Sequence, residues 1–272
     1  MPGTAVTAVV PHARESFDDL RRLAPVRLPQ DGTRQAIPFR RTPRPAVPAA
    51  PAAAAPEALL PAGAESSPVS RASTISGTFP GLQNFPLAGN RDVIPPDTMG
   101  AAGPTHLVSI LNSEFGVFNK TGGVLSKVTL QEFWASLGTD PGQPADFPFD
   151  PKILYDQYSG RFVAVTLDCT VAPHSWVLIA VSSSAGPTGA WYKWAIDADL
   201  DNGVRQSYNV ADYPGLGVDA SNIYVTANMY SNSDVAQYSK VWVIPKEQLH
   251  FGSNPITWYE VINPEPGPAT SS

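Results

Sequence analysis

From Ile75 onward, apolar residues come in short alternating runs broken by Gly, Pro, Asn, Asp and Ser. Alternation with period two marks half-buried strands, and turn residues between such runs mark hairpins. This part of the chain therefore reads as a many-stranded antiparallel protein. Its one helix-like stretch, Thr129 to Leu137 (TLQEFWASL), falls in a connection. Residues 1–76 follow another pattern. Glu15 to Leu23 (ESFDDLRRL) predicts a short amphipathic helix with Ser16 as its cap. The tract RRTPRPAVPAAPAAAAPEALLPAG favours extended polyproline II over helix or sheet ladders. Residues 1–76 are accordingly read as a disordered Pro/Ala/Arg-rich leader and linker.

Three segments superimpose: PPDTMGAAGPTHLVSILN (Pro95–Asn112), DPKILYDQYSGRFVAVTLD (Asp150–Asp168) and DYPGLGVDASNIYVTAN (Asp212–Asn228). Each opens with an Asp close to a Pro, runs through a short strand and a tight polar turn, and enters an alternating strand. Val108, Val163 and Val225 match, which sets periods of 55 and 62 residues. A third strand follows each segment (FGVFNK, SWVLIAVSS, KVWVIPK), and then a turn and a fourth (VLSKVTL, AWYKWAI, ITWYEV). Four strands in roughly 50 residues is the arithmetic of a propeller blade. The predicted fold is all-β: a partial β-propeller of three four-stranded antiparallel blades, at about 79–138, 148–198 and 210–262, within a domain of residues 77–272. A ring needs about four to eight blades. The remainder is expected in a continuation of the chain or in another chain.

Charge sharpens the division. Residues 1–80 hold nine basic and six acidic residues, and residues 81–272 hold nine and eighteen. All six Trp lie in the second part, which places the core there. An acidic body opposes nucleic-acid binding, despite Arg40, Arg41 and Arg44 in the leader. One cysteine, Cys169, rules out an internal disulfide framework and a Cys-based zinc site. No stretch approaches the 18 apolar residues or so that a spanning helix needs, and no secretory signal of ordinary form is visible.

PPDTMGAAGPTHLVSILN followed by FGVFNKTGG resembles the opening blade of secreted bacterial β-propeller proteins related to the sialidase and BNR-repeat group. The resemblance covers residues 79–262. SSSAGPTGAW (Ser182–Trp191) echoes the Asp-box turn of that group but lacks its central Asp, Ser184 or Ala185 standing there. The resemblance implies an extracellular protein and leaves activity open.

In a propeller, the loops before the first strands and after the second strands form the ligand face. The first set carries Asp97, Asp150 and Asp212, with Arg91 and Arg205 upstream, and the second carries Asn112, Glu114, Asp168, His174, Asn228 and Asp234. Three carboxylates converging near an axis must be protonated, paired with Arg, or bridged by a cation. Calcium, which takes oxygen ligands, suits Asp97, Asp150 and Asp212. The bland alternative is that each Asp caps its own turn, as Asp156 and Asp219 are expected to do. A sialidase mechanism needs an arginine cluster. Residues 81–272 hold only Arg91, Arg161 and Arg205, and Arg161 falls on the opposite face. The leading expectation is therefore a non-catalytic extracellular module recognising a glycan, a protein or a surface. The alternative is part of a secreted glycoside hydrolase or lyase whose remaining groups lie in missing blades, with Asp168 and Asp212 as candidate carboxylates.

Overall fold

The computed structural model describes residues 3–20, 22, 78–82, 95–169 and 174–264. The Pro/Ala/Arg tract of the expected leader lies outside these residues. The strands are β1 (Thr4–Ala8), β2 (His12–Ser16), β3 (Met99–Ala102), β4 (His106–Ile110), β5 (Glu114–Asn119), β6 (Val124–Thr129), β7 (Phe149–Asp156), β8 (Arg161–Asp168), β9 (Trp176–Ser182) and β10 (Ala190–Asp197). They continue with β11 (Leu200–Asp201), β12 (Arg205–Gln206), β13 (Val210–Val218), β14 (Asn222–Tyr230), β15 (Ala236–Pro245) and β16 (Ile256–Pro264). Three short helices intervene: α1 (Phe17–Leu20), α2 (Leu130–Trp134) and α3 (Lys246–His250). None is long and apolar enough to cross a membrane.

Each of the three repeats forms its own antiparallel meander, and among the described residues no sheet closes on itself. The orders are β3-β4-β5-β6, then β7-β8-β9-β10 with β2 added outside β10, then β13-β14-β15-β16 with β1 added outside β16. The first strands lie side by side, β7 packing against β3 and β13. A Cβ on Gly103, just past β3, would sit 2.7 Å from the Phe162 ring, so that approach requires glycine.

The period-two alternation decides which core each residue enters. On β8, Phe162 and Ala164 face the first sheet, where they meet Val108, Ile110, Phe115 and Val117. Val163, Val165 and Leu167 face the third sheet and meet Ile223, Val225, Trp242 and Trp258. The second sheet is thus covered on both faces, which explains why every residue of RFVAVTLD after Arg161 is buried. The expected helix in the connection is present. Thr129 caps α2 in a reciprocal capping box with Glu132, and a 3₁₀ turn over Ala135–Leu137 continues it. Phe133 stacks on Phe115 at 4.2 Å, and Trp191 meets both edge-on.

The N-terminal segment departs from the leader reading. Residues 4–8 and 12–16 are strands, and of the helix expected over Glu15–Leu23 the described residues show α1, with Ser16 and Asp19 exchanging cap hydrogen bonds, while Arg21 and Leu23 lie outside the described residues. This segment crosses the rims of all three sheets. β1 edges the third, β2 edges the second, and Phe17 packs on Phe115 and Phe133 beside the first. Glu15 pairs with the fully buried Lys193 at 2.8 Å, and Lys193 also donates to the Phe133 carbonyl. Burial pushes the Lys193 ammonium down to about 8 against the pull of Glu15. Replacing Glu15 by Gln exchanges a charge-assisted bond for a neutral one. It is expected to lower unfolding free energy by about 1–2 kcal/mol in urea melts.

Candidate functional site

The recurrent aspartates are sorted by a β-bulge that each sheet carries at the start of its first strand. In the second sheet Phe149 faces Leu167 and Lys152 faces Val165, so Asp150 and Pro151 oppose one residue. In the third, Asp212 faces Asn228 and Gly215 faces Thr226, so Tyr213 and Pro214 oppose one residue. In the first, the Asn112 amide donates to the Pro96 carbonyl (3.0 Å) ahead of the Met99–Ile110 pair, leaving Asp97 and Thr98 in the bulge. Asp97, Asp150 and Tyr213 share the left-handed backbone, at φ of 43°, 52° and 48°. The equivalent place in the third sheet is therefore Tyr213, and Asp212 stands one residue before it. The third hairpin has one pair fewer between turn and bulge, so a match counted from Val225 overshoots by one.

Asp97 and Asp150 nonetheless meet. Asn112 holds both, its Nδ2 donating to Asp97 Oδ2 (2.8 Å) and its Oδ1 accepting from the Asp150 amide (2.7 Å). Asp150 is only 6% exposed. Burial, then the hydrogen bond to Asp97, then the charges of Asp97 and Asp212, push its carboxyl up to about 7. Among the described residues no group of three or more His, Cys, Asp or Glu is placed to hold a metal ion. The trio forms no such group, and the hydrogen bond between Asp150 and Asp97 favours the protonated form of Asp150. Tyr213 is 63% exposed, with the Lys152 ammonium 4.3 Å from its ring centroid.

The other expected ligands do not gather here. Asp168 is buried and accepts the Phe147 amide at 2.5 Å, a structural role. Asn228 is exposed on the third sheet, with only a long bond from Ser239 (3.4 Å). Arg205 is bound to Asp201 in the β11–β12 hairpin. Glu114 pairs with Lys127 at 3.0 Å, and His174 stacks on Trp176. Arg91 lies outside the described residues.

A second candidate site lies at the opposite end of β7, six residues or about 20 Å from Asp150. It is a polar cavity of about 520 Å³ between the β7–β8 turn, the β13–β14 turn and α3. Asp156 and Asp219 occupy the two turns as expected and hold in place residues that line the cavity. Asp156 accepts from the Tyr158 amide (3.0 Å), Ser159 Oγ (2.5 Å) and Lys246 Nζ (2.7 Å). Against the upward push of burial, these donors hold its carboxyl below the usual range. Lys246 Nζ also donates to the Asp219 carbonyl (2.5 Å). The Asp219 carboxylate accepts the Tyr224 hydroxyl (2.6 Å) and the Ser221 and Asn222 amides (2.7 Å each), which hold it down at about 2.

Tyr158 is 58% exposed at the cavity mouth, its ring 5.1 Å from the Lys246 ammonium. His250 lines the wall. Burial, then the charges of Arg161 and Lys246, lower its pKa, so it is a neutral imidazole at neutral pH. The Lys246 charge is matched by Asp156 and Glu247 adds an exposed carboxylate, so the walls offer hydroxyl, amide, imidazole and carboxylate groups beside an exposed aromatic ring. Sequence spacing holds no sign of this site, since Lys246 and Asp156 are 90 residues apart. The one legible hint is an exposed Tyr in a tight turn. Compared with family models and with curated proteins, the chain matches none.

Proposed function

We propose that this chain is a run of propeller blades acting as an extracellular, non-catalytic module that binds a glycan in the cavity between Tyr158 and His250. The cavity carries the reading. Its volume falls in the range of small-ligand sites, and its polar groups are held rigid by a connected network. With Lys246 neutralised by Asp156, the remaining Glu247 carboxylate disfavours an anion and, with Ser221 and Asn222, can accept hydrogen bonds from neutral hydroxyls or donate to them. Tyr158 supplies an apolar face for a sugar ring.

The propeller reading is supported by three successive four-stranded meanders with adjacent first strands. It is also supported by the outward side of the third sheet. There Ala5, Tyr259, Val243, Tyr224 and Gly217 form one cross-strand row that suits a further blade, in this chain or another. The hydrolase alternative finds no support at the Asp97–Asp150 pair. Asp97 and Asp150 touch, whereas glycosidases hold their carboxyls about 5–9.5 Å apart with the sugar between them.

The test is a glycan array followed by calorimetry on the full chain, with calcium and with chelator. Tyr158→Ala is expected to weaken a hit about tenfold, near 1.4 kcal/mol, while Tyr158→Phe retains it. Binding that ignores Tyr158→Ala and Asn222→Ala alike would place the ligand elsewhere. Turnover of chromogenic glycosides, lost on Asp212→Asn, would make the protein an enzyme.

A further inference from the structure

A smaller cavity, of about 190 Å³, lies between the rims of the second and third sheets. The link from β1 to β2, around Val9 and Val10, lines one side of it. Trp176, Trp258 and Leu200 provide further apolar wall, and Asp197 is the only charged residue lining it. Both indole N–H groups are already committed, that of Trp176 to the Gly142 carbonyl (3.2 Å) and that of Trp258 to Glu260 Oε1 (2.9 Å). The rings therefore offer a guest apolar and π surface rather than hydrogen bonds.

Asp197 Oδ1 accepts the Asp199 amide at 3.0 Å. Burial, with the nearby Asp199 charge, raises the Asp197 carboxyl, and the Asp199 amide, His174 and Lys240 only partly offset this. Lys240 is itself bound to Asp201 and Glu260. A carboxylate set among apolar walls, with its nearest lysine committed elsewhere, gains from a cation that brings its own apolar body. Two indoles favour the same guest, because ring faces attract ammonium groups. An apolar cavity of about 150 Å³ already accepts benzene, so this one has room for a single ring carrying a short ammonium arm.

We propose that this cavity binds a small organic cation, an ammonium on a compact aromatic or branched body, with the charge on Asp197 and the body between Trp176 and Trp258. It stands apart from the glycan site in both location and chemistry.

Benzylammonium is the probe and benzyl alcohol its neutral counterpart, titrated calorimetrically into the full chain in an amine-free buffer near pH 7.5. Benzylammonium is expected to bind about tenfold or more tighter than the alcohol. Asp197→Asn is expected to erase that preference while leaving the affinity for the alcohol unchanged. Ala8→Leu, which fills the cavity, is expected to abolish binding of both and serves if Asp197→Asn does not fold. Failure of benzylammonium to bind, equal affinity for the two probes, a preference that persists in Asp197→Asn, or binding that survives Ala8→Leu would each overturn the assignment.

Discussion

Replacing Lys240 by Met is expected to cost about 3–5 kcal/mol of stability, measured as a lower urea midpoint at unchanged slope. Lys240 has no exposed side chain, and neither have its partners Asp201 (3.4 Å) and Glu260 (3.2 Å). Its ammonium also donates to the carbonyls of Ala198 (3.2 Å) and Leu200 (2.7 Å), so one group ties β15 and β16 to the connection leaving β10. Removing it strands two carboxylates away from water. Glu260 would keep the Asn202 amide (2.6 Å) and the Trp258 indole N–H, and Asp201 would keep Arg205 and the Tyr238 hydroxyl. Those donors soften the loss, and only the Arg205 guanidinium on Asp201 brings a countercharge, which leaves Glu260 as the uncompensated carboxylate. Burial, together with the Asp201 carboxylate it donates to, already pushes the Tyr238 hydroxyl up to about 12. Adding Glu260→Gln to Lys240→Met is expected to recover part of the loss, because removing both charges of a buried pair costs less than removing one. A single-variant cost below about 1 kcal/mol would mean that water reaches this network.

Asp150→Asn is expected to stabilise the protein above neutral pH and to flatten its pH dependence below. In the folded chain Asp150 titrates near 7, well above its ordinary 3.8. Between those values the folded state holds a proton that the unfolded state has released, so stability falls as pH rises through this window. Below about pH 4 both states are protonated and the penalty vanishes. Above 7 it is complete, and at about 1.4 kcal/mol per pKa unit it amounts to a few kcal/mol. Asn is neutral throughout, and its amide can still donate to Asp97. Urea melts at pH 5 and pH 8 decide the matter. The parent chain should lose stability between them and the variant should lose much less. Equal slopes for the two proteins would show that no proton is shared at this junction. Calcium that stabilises the parent chain at pH 8, but not the variant, would restore the cation reading of Asp97, Asp150 and Asp212.

Much of the fold was legible because it rests on local alternation. The runs HLVSILN, RFVAVTLD and IYVTAN declare strands, their separations declare repeating hairpins, and TLQEFWASL carries its own cap. YSNSDVAQYS (Tyr230–Ser239), although rich in polar turn residues, narrows to a hairpin turn at 231–235, where Ser231 bonds to Asp234 and Val235. Asp156 and Asp219 were identifiable as turn residues, since a short carboxylate satisfies the amides two or three residues ahead of it.

The rest was decided by contacts between distant parts of the chain. TAVTA alternates like any short strand, but its partner is about 250 residues away, and nothing local distinguishes it from the leader. Whether Asp212 or Tyr213 takes the bulge depends on one cross-strand pair in the third hairpin, a difference that residue counting does not detect. Lysines ordinarily lie at the surface, so the burial of Lys193, Lys240 and Lys246 follows only from where the sheets place Glu15, Asp201, Glu260 and Asp156. By itself the sequence determined strands, turns and repeat, because short-range sterics and period-two burial act within a few residues. The tertiary structure alone decided which charges meet, because those energies exist only once the sheets have stacked.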